Sequence, residues 1–301
     1  MSHNQGKTWI YAVSTVTDEG QESEISAAIT TNVGPDLAED GRYVTISWDT
    51  DVDAGTYNIY RRRNGVFPYI GYTEQTEFTD DNIAPDTTIT PVSETALFTG
   101  TGNYPSKVAI YQQRLFFANT INQPENIWGS KSGDFENFTK SEIRVASDLY
   151  DVSLNGRSLN AVQSLLPLRE FLAFGTFGDF SISGENGFLD STSPTVTQYG
   201  YTGAKPVKPL VVNDTALFVD RTGRTVRDLR YALEQDSYAG NDLSILSSHF
   251  FEGKQIVEWA YAKDPDSVVW VVLDDGSLLT LTYQREHQVW AWTEQEFDGF
   301  V

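Results

Sequence analysis

Residues 268–273 and 278–283 are two apolar runs separated by Asp274-Asp275-Gly276-Ser277. β-Branched and aromatic residues on both sides of an Asp-Gly turn are a strong hairpin signal, because the glycine takes the positive φ that a tight antiparallel return demands. A further run, Val289-Trp290-Ala291-Trp292, follows the polar residues 284–288, and residues 256–261 supply a fourth upstream, before a Lys-Asp-Pro-Asp turn. Four short antiparallel strands inside residues 241–292 are the plan of a propeller blade. No catalytic motif lies within that stretch, so it reads as architecture.

A looser copy of the pattern recurs from residue 108. VAIYQQRLFFAN, FLAFGTFGDFSISG and ALFVDRTGRTVRDL each place a polar turn between two apolar strands, as VVWVVLDDGSLLTLTY does. The turns fall near Gln113, Gly178, Gly223 and Gly276, at intervals of 65, 45 and 53 residues. Periods of about 40 to 50 residues with four strands each are those of propeller blades. The long first interval is assigned to a loop or hairpin insertion over residues 142–159. Residues 241–251 read as the best helix, with Asp242 as cap, Leu243, Leu246 and Phe250 on one face, and Gly253 as the stop.

The first third has a different rhythm. Strands are predicted at residues 9–16, 26–31, 44–48, 57–62 and 69–73, with Phe78-Thr79 continuing the pattern, and this spacing suggests a β-sandwich. VTISW followed by Ala54, Tyr57, Ile59, Tyr60 and Arg61 resembles a fibronectin type III domain. Residues 11–23 resemble the final hairpin of such a domain, yet here they come first. The favoured explanation is that the chain begins midway through a longer protein; a permuted module is the other. Residues 87–103, rich in Thr, Pro and Gly, read as a linker. The expected fold class is therefore all-β: a fibronectin III-like β-sandwich over residues 1–95, then a β-propeller-like domain over residues 96–301 with about four blade repeats.

Composition narrows the chemistry. The chain has 301 residues, 40% hydrophobic and 13% aromatic, so a sizeable core can be buried. Cysteine is absent, which excludes disulfides and thiolate metal sites. No apolar run approaches the length needed to span a bilayer as a helix. Net charge is −21, with five basic and 16 acidic residues in 1–100 against 16 and 26 in the remainder. Gripping phosphates requires Lys and Arg, so the chain is not expected to hold nucleic acid.

Site motifs fail one by one. His3, His249 and His287 are far apart in sequence. Asp49, Asp51 and Asp53 have the spacing of a calcium loop, but Ala54 stands where glycine is needed and Tyr60 where the bidentate Glu belongs. Gly100-Thr101-Gly102 is followed by Tyr104-Pro105, not by a third glycine and a helix. Gly129-Ser130-Lys131-Ser132-Gly133 puts lysine in the nucleophile position, and the Asp-box-like start at Ser132 carries Glu136 in place of glycine. Trp259, Trp270, Trp290 and Trp292 could form a sugar platform, although Trp along strands more often anchors a blade core. Arg61-Arg62-Arg63 reads as pairing with neighbouring acids. No catalytic, cofactor-binding or metal residue is assigned.

Three blocks, residues 104–138, 204–231 and 241–292, together resemble the tail tube or nozzle proteins of short-tailed bacteriophages. The resemblance implies a structural, non-enzymatic virion protein, made in the host cytoplasm, forming part of the conduit for DNA ejection. It further implies a ring homo-oligomer, a hexamer by family habit, with portal, adaptor and other tail proteins as partners and DNA passing without specific binding. The family's chains look longer at both ends, so an excised or naturally short version is expected. The alternatives are a receptor- or glycan-binding module and a propeller glycosidase, which would need two facing carboxylates.

Overall fold

The computed structural model describes residues 6–18, 20–52, 54–93, 97–156, 158–184, 187–233 and 237–296. The chain divides into two compact units, Met1–Leu97 with Ser130–Leu149, and Phe98–Gly129 with Tyr150–Val301.

The first unit is a two-sheet sandwich. β1 (Lys7–Val16), β2 (Ile29–Gly34), β4 (Thr56–Arg61) and β5 (Tyr69–Thr73) form one sheet in the order β2-β1-β4-β5, and β3 (Val44–Ser47) pairs with β6 (Glu77–Asp80) in the other. Alternation puts Tyr11, Val13, Tyr57 and Ile59 of the larger sheet against Val44 and Ile46 of the smaller in one core. Asp80 at its edge is fully engaged, whereas the indole N–H of Trp48, packed on the same core, has no partner among the described residues. Arg61 Nη1 and the Tyr11 hydroxyl donate to Asp80 Oδ2 at 2.5 and 2.8 Å, and the amides of Asn82 and Ile83 donate to Oδ1. β7 (Val92–Ser93) pairs with β11 (Lys140–Ser141), which completes this unit.

The second unit is four antiparallel four-stranded meanders. Blade one holds β8 (Lys107–Tyr111), β9 (Arg114–Ala118), β10 (Asn126–Gly129) and β12 (Tyr150–Ser153); blade two holds β13 (Val162–Pro167), β14 (Phe171–Gly175), β15 (Asp179–Ser183) and β16 (Thr195–Gly200). Blade three holds β17 (Leu210–Val212), β18 (Thr215–Val219), β19 (Val226–Ala232) and β20 (Ser237–Ala239). Blade four holds β21 (Ile256–Ala262), β22 (Val268–Leu273), β23 (Leu278–Gln284) and β24 (Val289–Gln295). The unit is thus all-β and propeller-like, as the repeat predicts.

Successive blades stack face on face, which explains the continuous apolar runs. On β14, Phe171 and Ala173 enter the core shared with blade one, while Leu172 and Phe174 enter the core shared with blade three. β18 repeats the arrangement: Ala216 and Phe218 face blade two, and Leu217 and Val219 face blade four. The founding hairpin closes as expected, with Gly276 at φ 83° and Leu273 N donating to Ser277 O at 3.0 Å.

Two local expectations are corrected. The predicted α-helix over 241–251 is a 3₁₀ helix, Ile245–Phe251, with a non-helical Ser247 inside it. Leu243 lies before the helix, where its amide donates to Val226 O at 2.9 Å and its side chain is buried, while Leu246 inside the helix is exposed. Asp242 turns the chain by accepting from Ser244 N at 2.7 Å. The break in blade one lies at residues 130–149, not 142–159, and it leaves from Gly129 and returns at Tyr150, which are cross-strand partners.

Candidate functional site

Between blades two and three an apolar stack gives way to a polar seam. Asp179 opens β15 directly after the turn residue Gly178, and it is 4% exposed. The loop after β16 folds back on it. Gly203, at φ 70°, lies so close to the Thr176 carbonyl that a Cβ there would meet it at 2.1 Å, and Ala204 N donates to Gly175 O at 2.9 Å. That pinned loop aims the Thr202 and Gly203 amides at the Asp179 carboxyl. Gly200, its cross-strand partner, leaves room for Oδ2, which a Cβ would approach to 2.6 Å.

Asp179 Oδ1 finds no hydrogen-bond partner among the described residues. Burial dominates its ionisation and raises the pKa to about 6, although the Arg227 guanidinium and the two amides pull it down. The carboxyl lines a cavity of about 140 Å³ with Tyr199, Thr202, Arg227, Asp228 and Tyr238. The Tyr238 hydroxyl is buried without a hydrogen bond of good geometry, and burial pushes its pKa up. Tyr199 is engaged differently: it donates to Glu170 Oε2 at 2.9 Å and accepts from Ser181 Oγ at 2.8 Å.

The second acid of the seam is occupied. Asp228 is 1% exposed and accepts from the Tyr283 hydroxyl at 2.9 Å, Arg285 Nη1 at 2.7 Å and Asn241 N at 2.5 Å. It belongs to the packing of blade three on blade four. The seam therefore holds one poised carboxyl and one guanidinium around a small space, with the Tyr238 ring in its lining. Such a set can bind a polar molecule and move a proton at it.

A larger, open concavity of about 580 Å³ lies beside the 3₁₀ helix, lined by Arg224, Asp242, His249 and Glu252 among others. Asp242 and Ser244 there are committed to local turns, Ser244 Oγ accepting from Val226 N at 2.8 Å. Volume favours this groove, whereas orphaned buried polar atoms favour the seam, and the second criterion points to ligand chemistry.

The residues singled out from sequence do not converge. Trp259 and Trp292 are blade core, each indole N–H donating to a backbone carbonyl, and Trp290 packs on the same side. Trp270 faces the other way, so the four indoles form no common platform. His249 lies against Phe250 with centroids 4.1 Å apart and the rings tilted by 39°, and His287 is exposed at the end of a one-turn 3₁₀ helix, Arg285–His287. His3 and Asp53 lie outside the described residues. Among the basic triplet, Arg61 pairs with Asp80 and Arg62 lies over Phe67. Sequence motifs assign Asp179 no role; its one sequence signal is a lone acid in the otherwise apolar FLAFGTFGDF.

Neither a protein-family model nor a curated protein matches the sequence. Solved structures similar to the chain include a protein from Lactobacillus plantarum (9% identity, 96% of this chain and 82% of that one, TM-score 0.43). They also include the periplasmic gluconolactonase of Pseudomonas aeruginosa (14%, 98% and 85%, 0.41). A 6-phosphogluconolactonase candidate from Bacteroides fragilis gives 9%, 98%, 83% and 0.42. At these scores the likeness says nothing of substrate. The resemblance to phage tail tube proteins is corrected: two of these three neighbours carry lactonase names, none is a phage protein, and no family model matches. The structural role in DNA ejection, the virion location and the non-enzymatic reading fall with it.

Proposed function

We propose that the seam between blades two and three binds a small polyhydroxylated cyclic ester, a sugar-acid lactone, and that Asp179 is the general base of its hydrolysis. The observation that carries this is a carboxyl 4% exposed, with one oxygen unpartnered and a pKa of about 6, lining a small polar cavity. A buried carboxyl that combines a spare acceptor oxygen, a raised pKa and a place in a cavity wall is the combination expected of a functional site.

The chemistry selects an ester over a glycoside. Glycoside cleavage calls on two available carboxyls, and Asp228 is taken by three donors. Lactone opening needs one base and one positive charge. Above pH 6 the Asp179 carboxylate takes a proton from water as the water oxygen bonds to the carbonyl carbon. Arg227 offsets the charge developing on the carbonyl oxygen. The ring C–O bond then breaks, Asp179 returns the proton to the leaving oxygen, and the open hydroxy acid has Arg227 as its counter-ion. Tyr238 is free to hold a substrate hydroxyl.

The test is acid release in a pH-stat with five- and six-membered sugar lactones. A rate rising through about pH 6, reduced about 10²-fold or more by Asp179→Asn, is expected. No release above the uncatalysed rate for any lactone overturns the hydrolase. Binding by calorimetry without release, abolished by Tyr238→Phe, would leave a sugar-retaining module instead, a reading that the unpartnered Tyr238 hydroxyl favours.

We further infer that the first unit is a fibronectin III-like module with its strands in a shifted order. Its support is the four-strand order β2-β1-β4-β5 facing β3-β6. The division into residues 1–95 and 96–301 remains part of that proposal.

A further inference from the structure

The seam and the groove beside the 3₁₀ helix are built on the same two segments of backbone. β19 runs antiparallel to residues 239–243: Arg230 pairs with Ala239, Asp228 N donates to Asn241 O at 3.1 Å, Arg227 bridges Asp242, and Leu243 N donates to Val226 O at 2.9 Å. Arg227 and Asp242 form the boundary row. On one side of it Leu229 and Gly240 line the seam, and on the other Thr225 and Ser244 line the groove. Two residues of extended chain cover about 7 Å. The two spaces are therefore one strand step apart on both segments, a distance that a single glycosidic linkage spans. They also differ in size. Pockets that hold a whole small ligand enclose roughly 300–1,000 Å³. The groove, at about 580 Å³, falls within that range, and the seam, at about 140 Å³, falls below it.

We propose that seam and groove are two subsites for one ligand, and that the chain acts best on a lactone bearing an uncharged glycosyl group, with the ring opened in the seam and the attached sugar seated in the groove. This rests on the seam being the lactone site. The lining decides the charge of the attached group. Arg224 is opposed there by Asp242 and Glu252, in a chain of net charge −21, so an anionic tail meets no cluster of cations. A sugar meets what it needs. Thr225 and Ser248 offer hydroxyls, and Ile245, 65% exposed, offers an apolar surface for a C–H face. Among the described residues Asp242 gives only Oδ1 away, to Ser244 N at 2.7 Å, which leaves Oδ2 to accept from a ligand hydroxyl. The attached sugar is held alike before and during ring opening, so its contacts lower KM and leave kcat alone.

The test compares gluconolactone with cellobionolactone, which carries a glucosyl group on the same ring, in the pH-stat. The glycosylated lactone is expected to show a kcat/KM at least tenfold higher, carried by KM. Ile245→Trp fills the groove from an exposed position and should bring the ratio of the two kcat/KM values to about one. Ser248→Trp takes its place should the first variant fail to melt as the parent does. A ratio near one in the unaltered chain overturns the proposal. So does a ratio that filling the groove leaves unchanged, or a stronger preference for a phosphorylated lactone. If no lactone is opened, the hydrolase reading falls, and calorimetry with the open acids decides the groove separately. Cellobionate bound at least tenfold more tightly than gluconate, with the difference lost in Ile245→Trp, supports it; equal binding or none overturns it.

Discussion

Asp80 in the sandwich and Asp179 in the blade seam are both buried aspartates at strand ends, 0% and 4% exposed. Asp80 has a guanidinium, a phenol and two amides on its two oxygens. Asp179 has two amides and the charge of Arg227, and one of its oxygens has no hydrogen-bond partner among the described residues. The same residue type at the same depth thus serves two ends. A saturated carboxylate locks a fold, whereas a half-saturated one keeps a proton exchangeable near neutrality at a cost in stability.

Removing each group should separate the two cases. Asp80→Ala strands Arg61, 7% exposed, and should cost about 3–5 kcal/mol, seen as a large fall in the urea midpoint. Asp179→Asn should act in the opposite direction. The folded pKa near 6 lies above the unfolded value near 3.9, so the native state binds the extra proton, and stability is lost as pH rises between those values. Above pH 6 the penalty is complete at about 3 kcal/mol, and Asn removes it. The variant should therefore melt higher at pH 7.5, with the gain vanishing below pH 4. A loss of stability at pH 7.5 would break the contrast.

Gly203→Ala sharpens the comparison at the backbone. Positive φ and a 2.1 Å approach to the Thr176 carbonyl should cost about 2 kcal/mol or more and withdraw two amides from Asp179. The pH at which hydrolysis half-rises should then move above 6. The smallest effects come from the phenols. Tyr238→Phe removes a hydroxyl with no partner and should change stability by less than about 0.5 kcal/mol. Tyr11→Phe removes a donor to Asp80 and should cost about 1–3 kcal/mol in the same melts.

Much of the architecture could be read from residue order because it rests on local patterns. The Asp274–Ser277 turn, the apolar runs of β14, β18 and β22, and the recurring turns needed only neighbours in sequence. The 3₁₀ geometry at 245–251 was missed because an i, i+3 spacing suits both helix types over so short a span. The seam was missed for a different reason. Asp179 is perturbed by amides more than twenty residues later and by Arg227 farther still, and its burial exists only once blade three has stacked on blade two. Indole counting failed on alternation: Trp270 and Trp259 sit on adjacent strands but on opposite faces, a distinction that the number of tryptophans does not carry.

The excursion from Gly129 to Tyr150 has a consequence for how the molecule comes apart. The polypeptide passes between its two units three times: after Leu97, after Gly129 and after Leu149. A single protease nick after Leu97 gives two fragments with no covalent link, yet the larger one still carries residues 130–149 of the first unit, so the pairing of β7 with β11 holds the two together without a covalent bond. Because the two strands flanking the excursion are already hydrogen-bonded to each other, trimming it to a short reverse turn would spare blade one while stripping β7 of its mate.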